Sequence, residues 1–585
     1  MKKFNLADPN ILSGIAAAPG IAIGKAYLYS RAKLEISDGM VSDVDEAIDS
    51  LHEALDRSKY ELNKILAIAT EKMGEQRAAI FEAQIMIMDD PVLIGQITDR
   101  IKNEKRLPEY IVNDEISKYQ KMMDDSSELY MKERSQDIDD IKSRIIRNLQ
   151  KKRLRSKISE EVIIVTSNLT PADTILFSKS DVKGYITDFG GLTSHAAIVS
   201  RSIKIPAVVG THDATARIKN GDLIIMDGFN GVIILDPTEE QLGFYKNKIE
   251  KLNQLDIELA ALKELPAVTD DGREVILRAN IDIPDEVELI FQNGAKGIGL
   301  LRTEQIFSDL DAFPDEDEQY VIYKELAERV YPEYIVIRAF DVGGDKFLPH
   351  DIKEPNPFLG WRGIRFLLDN PEIFKSQIRA VLRAGVHKNL KLMLPMVASI
   401  TEIRRSKEII RECKEELKKQ HLKYDSHLKI GIMVEIPSAA VLAKEFGDEV
   451  DFLSIGTNDL IQFILAVDRG NDIVSAHYQE FHPAVIRTID HIIKNGQRGN
   501  AFVSMCGEMA ADTFAIPLLV GMGLDSISAS PSSIPYIKKM IRSLNYQKTV
   551  HLAEECLACG TMREITEKVE QFLESNLISQ MKNII

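Results

Sequence analysis

In the second half of this 585-residue sequence, charged and nucleophilic side chains repeatedly stand at the ends of short apolar runs. Arg302 follows the run 297–301, Arg338 lies at the end of 334–339, and Glu435 follows 430–434. Asn458 and Asp459 come just after 452–455, and Cys506 directly after 502–505. A charge that terminates a buried apolar strand is costly unless something pairs with it, so the repetition predicts a shared pocket. A set of salt bridges closing a rim is the bland alternative. Arginines supply planar, bidentate donors for phosphate and carboxylate, and a glutamate with an aspartate on neighbouring strands can hold a hard cation such as Mg²⁺ through oxygen. The natural occupant is a small, multiply anionic molecule with a metal bridging its oxygens. Arg362 and Arg365 in GWRGIR, 360–365, and Arg469 in DRG, 468–470, could add positive charge from loops, where arginine is about as often merely solvated.

A second constellation lies far away, in GGLTSHAAIV, 190–199. A glycine pair, two hydroxyls and His195 fall where a strand gives way to a helix. A helix N-terminus presents free backbone N–H groups and positive potential, which favours phosphoryl oxygens, and an imidazole there can accept a phosphoryl group on nitrogen. His195 can equally be a loop histidine beside a Ser or Thr cap, and the residues alone leave both readings standing.

These groups need elements to hold them. From 266 onward, apolar runs recur at 275–279, 297–301, 334–339, 392–397, 430–434, 452–455, 502–505 and 526–529, each followed by a helix-like stretch. Eight such units predict a (β/α)8 TIM barrel, in which catalytic groups belong at the C-terminal ends of strands. Residues 41–152 have almost no Gly or Pro and carry apolar positions every three or four residues, which predicts a helical bundle. The basic residues Lys151, Lys152, Arg153, Arg155 and Lys157 then read as a solvated connection. Short β-branched runs over 161–237, a turn at Asn230-Gly231 and a helix start at Thr170-Pro171 predict a small α/β domain into which the N-terminal strand-like segment can pair. The expected organisation is therefore multidomain α/β. Residues 1–35 and 155–240 form the small domain, 36–154 an inserted helical domain, 241–265 a helical linker, and 266–585 the barrel.

Composition bounds the function. With 73 basic against 90 acidic side chains the net charge is −17, which argues against a general nucleic-acid binder. Cys413, Cys506, Cys556 and Cys559 are too few for a disulfide framework in so long a chain, which suits a reducing cytoplasm. Cys556 and Cys559 lack a second pair or a nearby His to complete a zinc site and read as small helix residues. No apolar run approaches the roughly 18 residues that would span a bilayer. The apolar stretch 11–24 faintly imitates a signal peptide, but Asp8, Pro19, Gly20 and Gly24 mark it as part of the mature fold. There is no Walker loop, no full dinucleotide fingerprint and no H-E-x-x-H.

Nine segments, in order, resemble Enzyme I of the bacterial phosphotransferase system, the phosphoenolpyruvate-protein phosphotransferases. They are SGIAAAPGIA at 13–22, GGLTSHAAIVSRS with IPAVVG, GIGLLRTE, DVGGDK, NPFLGWRGIR, MVEIP, SIGTNDLIQ, AVDRGND and MCGEMA, and the likeness spans essentially the whole chain. The resemblance implies that His195 is phosphorylated on Nε2, with Thr174 hydrogen-bonded to it. It implies that Arg302, Arg338, Arg469, Asn458 and Asp459 bind phosphoenolpyruvate, supported by Arg362. Glu435 and Asp459 would hold Mg²⁺, and Cys506 would protonate the enolate to release pyruvate. It further implies that 36–154 binds the phosphocarrier protein HPr, as the first step of sugar uptake, and that the barrel makes a homodimer. One departure is Leu192, where many members carry Arg; related dikinases have an apolar residue there. Phosphoenolpyruvate synthase and pyruvate phosphate dikinase share two of these domains but need an ATP-binding module, for which the helical insertion is too small. A catalytically idle phosphoenolpyruvate sensor is the rival of a different class, and the intact set His195, Glu435, Asp459 and Cys506 argues against it.

Overall fold

The computed structural model describes residues 9–30, 34, 36–73, 75–124, 129–152, 161–177, 182–191, 195–306, 313–343, 354, 356–469, 471 and 474–575. The chain divides into two compact units, 1–251 and 252–585, with the boundary inside the helix Glu239–Ala261.

The first unit contains an eight-stranded sheet: β1 Ile11–Ser13, β2 Ile15–Ala18, β3 Ile21–Leu28, β4 Val162–Thr166, β5 Val182–Thr187, β6 Ala207–Val209, β7 Leu223–Asp227 and β8 Val232–Leu235. Their order is β1-β8-β7-β3-β4-β5-β6-β2. β3 to β6 run parallel, and β4 is buried along its whole length, which is why VIIVT shows no alternation. The N-terminal strands join this sheet, and the Asn230-Gly231 turn closes the antiparallel pair β7 and β8. Gly231 has φ +65°, and a Cβ there would lie 2.3 Å from the Gly14 carbonyl oxygen, so only glycine suits the turn.

Between β3 and β4 the described residues form five helices, Val44–Met73, Glu75–Met88, Pro91–Glu104, Pro108–Asp124 and Leu129–Leu149. Leu51, Leu62, Ile65, Phe81, Ile101 and Ile145 are among the side chains of their shared core. The Asp90 carboxylate accepts from Val92 N–H at 2.8 Å and caps the third helix ahead of Pro91. Lys151 and Lys152 are exposed; Arg153, Arg155 and Lys157 lie outside the described residues.

The second unit is a closed barrel of eight parallel strands: β9 Ile276–Ile281, β10 Ile298–Arg302, β11 Ile335–Arg338, β12 Leu390–Leu394, β13 Lys429–Val434, β14 Phe452–Ile455, β15 Phe502–Met505 and β16 Ser526–Ala529. β16 pairs with β9 to close it. The interior is packed, with Leu300, Val336, Met393, Met433 and Phe452 clustered against Cys506. Outer helices bury one stripe, as in Pro483–Arg498, where Val485, Ile486, Ile489, Ile492 and Ile493 are fully buried. The fourth strand differs from the expected run 392–397. It begins at Leu390 and ends at Leu394, because Pro395 has no N–H to continue the ladder and Met396 turns to φ +56°. Cys556 lies near the end of the helix Tyr546–Ala558 and Cys559 just beyond it; both are buried thiols. Among the described residues, no helix is long and apolar enough to cross a membrane.

Candidate functional site at the barrel mouth

The C-terminal ends of five strands bring most of the anticipated groups together. Arg302 ends β10 and Arg338 ends β11, and the two are Cα partners in register. Arg338 is buried and pairs with Glu304 and, at 3.3 Å, with Asp341. Its carbonyl accepts from the Thr303 hydroxyl at 2.9 Å, and Gln377 in turn donates to that hydroxyl at 3.2 Å, so the strand end is held from behind. Arg338 Nε is buried with no hydrogen-bond partner among the described residues, a donor left available for an anion. Arg302 is half-buried and meets Asp282 at 3.4 Å.

Asp341, fully buried three residues past Arg338, organises the middle of the mouth. Arg362 Nε donates to Asp341 Oδ1 at 2.9 Å and Arg362 Nη2 to Oδ2 at 2.8 Å, a planar fork on a carboxylate. The same guanidinium reaches Asp459 Oδ1 at 3.3 Å and Oδ2 at 3.2 Å. Burial alone would lower the pKa of Arg338 and Arg362. The surrounding carboxylates outweigh it and raise both, chiefly Glu304 for Arg338 and Asp341 for Arg362. Arg365 does not join them; its Nη1 donates to the carbonyls of Leu359 and Gly360 and holds its own loop.

Glu435, directly after β13, is 1% exposed, and its Oε1 accepts the Met396 N–H at 2.6 Å. Burial first, then the charges of Asp459 and Asp341, push its carboxyl well above the usual glutamate range. Cys506, after β15, is 3% exposed; the Ser454 hydroxyl donates to its Sγ at 3.2 Å, and Asn280 Nδ2 donates to its carbonyl at 3.0 Å. Burial raises the thiol pKa despite the Ser454 hydrogen bond, so at neutral pH the group carries its proton. The next residue, Gly507, lies so close to the helix Thr457–Leu465 that a Cβ would stand 1.9 Å from Thr457 Oγ1. That approach fixes Cys506 beside the helix bearing Asn458 and Asp459. Asn458 Nδ2 and Arg469 Nη1 each donate to Glu508 Oε1 at 2.9 Å, with Arg469 itself exposed.

Sequence reasoning assigned no role to Asp341, Glu304, Glu508, Ser454 or Asn280. The signal for the first two was present, an acid within three residues of an arginine that ends a buried strand.

The residues fit a hard divalent cation. Glu435, Asp459 and Asp341 crowd negative charge into a buried space, the condition that a cation relieves, and the first two present oxygen donors at adjacent strand ends. Among the described residues no cluster of three or more His, Cys, Asp or Glu is arranged to hold a metal, so substrate or water would complete the shell.

In the first unit, His195 opens the helix His195–Ser202 just after the Gly190-Gly191 pair, where Gly190 has φ +123°. Leu192, Thr193 and Ser194 lie outside the described residues, as does the His195 side chain. Thr174 is buried in the helix Pro171–Phe177, which packs against the His195 helix, and its hydroxyl donates to the Thr170 carbonyl at 2.9 Å.

Three family profiles cover most of this architecture: PEP-utilising enzyme, N-terminal, over 13–134; the mobile domain over 158–231; and the PEP-binding domain over 257–546. The phosphoenolpyruvate-protein phosphotransferase of Geobacillus stearothermophilus is 43% identical over 571 residues, covering 97% of this chain and 99% of that protein. Those of Staphylococcus carnosus and Bacillus subtilis (strain 168) are each 42% identical, covering 96% of this chain and 99% of theirs. Identity at that level from end to end cannot arise from a shared barrel alone, and the chain belongs to the phosphoenolpyruvate-protein phosphotransferase family.

Proposed function

We propose that this protein transfers the phosphoryl group of phosphoenolpyruvate to its own His195 and from there to the phosphocarrier HPr, releasing pyruvate. The observation that carries the reading is the barrel mouth, where buried arginines with carboxylate partners surround a protonated thiol and a crowded carboxylate pair. Phosphoryl transfer needs alignment and charge neutralisation more than covalent help from the protein. Arg302, Arg338 and Arg469, with Asn458, orient the phosphate and carboxylate of the substrate, and Arg362 keeps Asp341 and Asp459 in place. Mg²⁺ held by Glu435 and Asp459 would supply further charge neutralisation on the nonbridging oxygens. His195 Nε2 forms the new bond to phosphorus as the bond to the enolate oxygen breaks. The enolate carbon takes the Cys506 proton, giving pyruvate, and the thiolate is reprotonated from solvent. A Thr174 hydroxyl that donates to Thr170 keeps lone pairs that can accept an imidazole N–H.

His195 and the barrel belong to different units, so the imidazole must reach the barrel mouth to load and then meet HPr to unload. In this reading residues 36–154 recruit HPr, 241–265 link the halves, and the barrel pairs two copies. The reaction is the cytoplasmic first step of sugar uptake. Incubation with labelled phosphoenolpyruvate and Mg²⁺ should give an acid-labile adduct that disappears in His195→Ala. Labelling that persists in that variant would overturn the assignment.

A further inference from the structure

The opposite end of the barrel presents a different electrostatic problem. Arg278, the third residue of β9, and Lys391, the second residue of β12, line one small cavity inside the ring of strands. Arg278 is 7% exposed, donates from Nη1 to Ser526 Oγ at 2.9 Å, and keeps a buried Nε without a hydrogen-bond partner among the described residues. Lys391 Nζ lies 4.2 Å from the centre of the Tyr334 ring and 5.7 Å from that of Phe452. Arg278 faces the same Tyr334 at 6.0 Å and Phe502 at 5.7 Å. Among the described residues the Lys391 ammonium makes neither a hydrogen bond nor an ion pair.

No carboxylate lines this cavity. The polar groups that share it are Ser504, Ser526 and Ser528, and each hydroxyl already donates elsewhere: to the carbonyls of Leu453 and Ile276 and to Asn280 Oδ1. Glu333 and Asp451 act on the two cations only through space, and Asp451 Oδ2 is engaged by the Ile430 N–H. Burial lowers the pKa of both cations, and Arg278 pushes Lys391 further down, to about 8. Two like charges facing one desolvated space repel each other, and aromatic faces offset only part of that. The cavity measures about 10 Å³, room for an occupant of roughly one water's size.

We infer that the N-terminal end of the barrel binds one small inorganic anion of halide size between Arg278 and Lys391. An anion there supplies the missing acceptor for Arg278 Nε and the counter-charge for Lys391, while phosphate and carboxylates are too large for the space. The site is independent of the phosphoryl-transfer reading, since none of its residues belongs to the barrel mouth.

The test uses full-length protein crystallised from sodium bromide. An anomalous bromine peak within hydrogen-bonding distance of Arg278 Nε and Lys391 Nζ is expected. In parallel, replacing gluconate by bromide at constant ionic strength should raise the melting midpoint of the unaltered protein. Lys391→Met, which removes the charge but keeps the aliphatic stem, should lose that bromide-dependent rise. Arg278→Met would also remove the buried hydrogen bond to Ser526 and so put folding at risk, which is why the Lys391 variant and the anomalous map carry the test. A cavity without a bromine peak, or a Lys391→Met protein with an undiminished bromide response, overturns the inference.

Discussion

Removing Asp341 is the sharpest test of how the barrel mouth is assembled. Its two oxygens hold Arg362 at 2.9 and 2.8 Å and Arg338 at 3.3 Å, and the carboxylate is fully buried. Asp341→Ala leaves two buried guanidiniums short of a partner, and taking one member from a buried pair costs about 3–5 kcal/mol. Residues 252–585 unfold with roughly 2 cal/mol/K of entropy per residue, so that loss lowers the barrel's melting midpoint by about 4–7 °C. Asp341→Asn keeps the shape and one acceptor but loses the charge, and should fall by about half as much. Function should suffer beyond stability. Arg362, released on one side, settles more firmly on Asp459, so the KM for phosphoenolpyruvate and the Mg²⁺ requirement should both rise at temperatures where the variant is folded. Differential scanning calorimetry and steady-state kinetics at 25 °C check the two halves. A midpoint within about 1 °C of the parent's, with unchanged KM, would refute the claim that Asp341 organises the site.

Cys506→Ala should lower turnover by about 10²- to 10⁴-fold, the usual contribution of a positioned general acid, with less effect on phosphoenolpyruvate binding; a chemical-quench assay of pyruvate release checks this. Gly507→Ala forces a Cβ into Thr457 and should destabilise the barrel by about 1–3 kcal/mol, measured by urea unfolding, while displacing Cys506 from Asn458 and Asp459. Glu480 is pushed up to about 7 by burial and then by Asp512 and Glu508. The folded protein therefore holds a proton that the unfolded chain releases near pH 4.5, and stability falls as pH rises from about 4.5 to about 7. Glu480→Gln should flatten that part of the pH dependence of the urea midpoint, and an unchanged slope would show that Glu480 does not titrate as described.

The barrel is legible because its strands are largely buried and read as short, mostly apolar runs, five of them ending at or close to a charged, amide or thiol side chain. Register was less legible. The apolar run at 392–397 starts two residues after β12 does, because Lys391, inside the strand, breaks the apolar pattern from within. A lysine in a strand signals an exposed position unless its ammonium rests on aromatic faces, and Tyr334 and Phe452 are distant in sequence. Arg302, Arg338 and Glu435 stand out in the sequence because each lies at or just past the end of a strand. Asp341 carries a weaker signal, its spacing from Arg338, and in a Gly-rich segment an acid reads as a turn residue until the fold sets Arg362 against it.

The two ends of the barrel handle positive charge in opposite ways, and that contrast argues for what each end does. At the mouth every buried arginine has a carboxylate partner, so it stays charged and oriented before any substrate arrives. Pre-pairing weakens the pull of each guanidinium on a substrate phosphate, but it fixes geometry, and the desolvation cost is met during folding rather than during binding. The surplus acids Glu435 and Asp459 then make the mouth receptive to a divalent cation together with an anionic substrate, and unreceptive to the anion alone. The far-end cavity is lined by two cations and no acid, so an anion by itself restores balance there. A catalytic pocket must exchange its charge at every turnover and benefits from near-neutrality; a packed strand end that exchanges nothing can leave its counter-charge to a permanent guest.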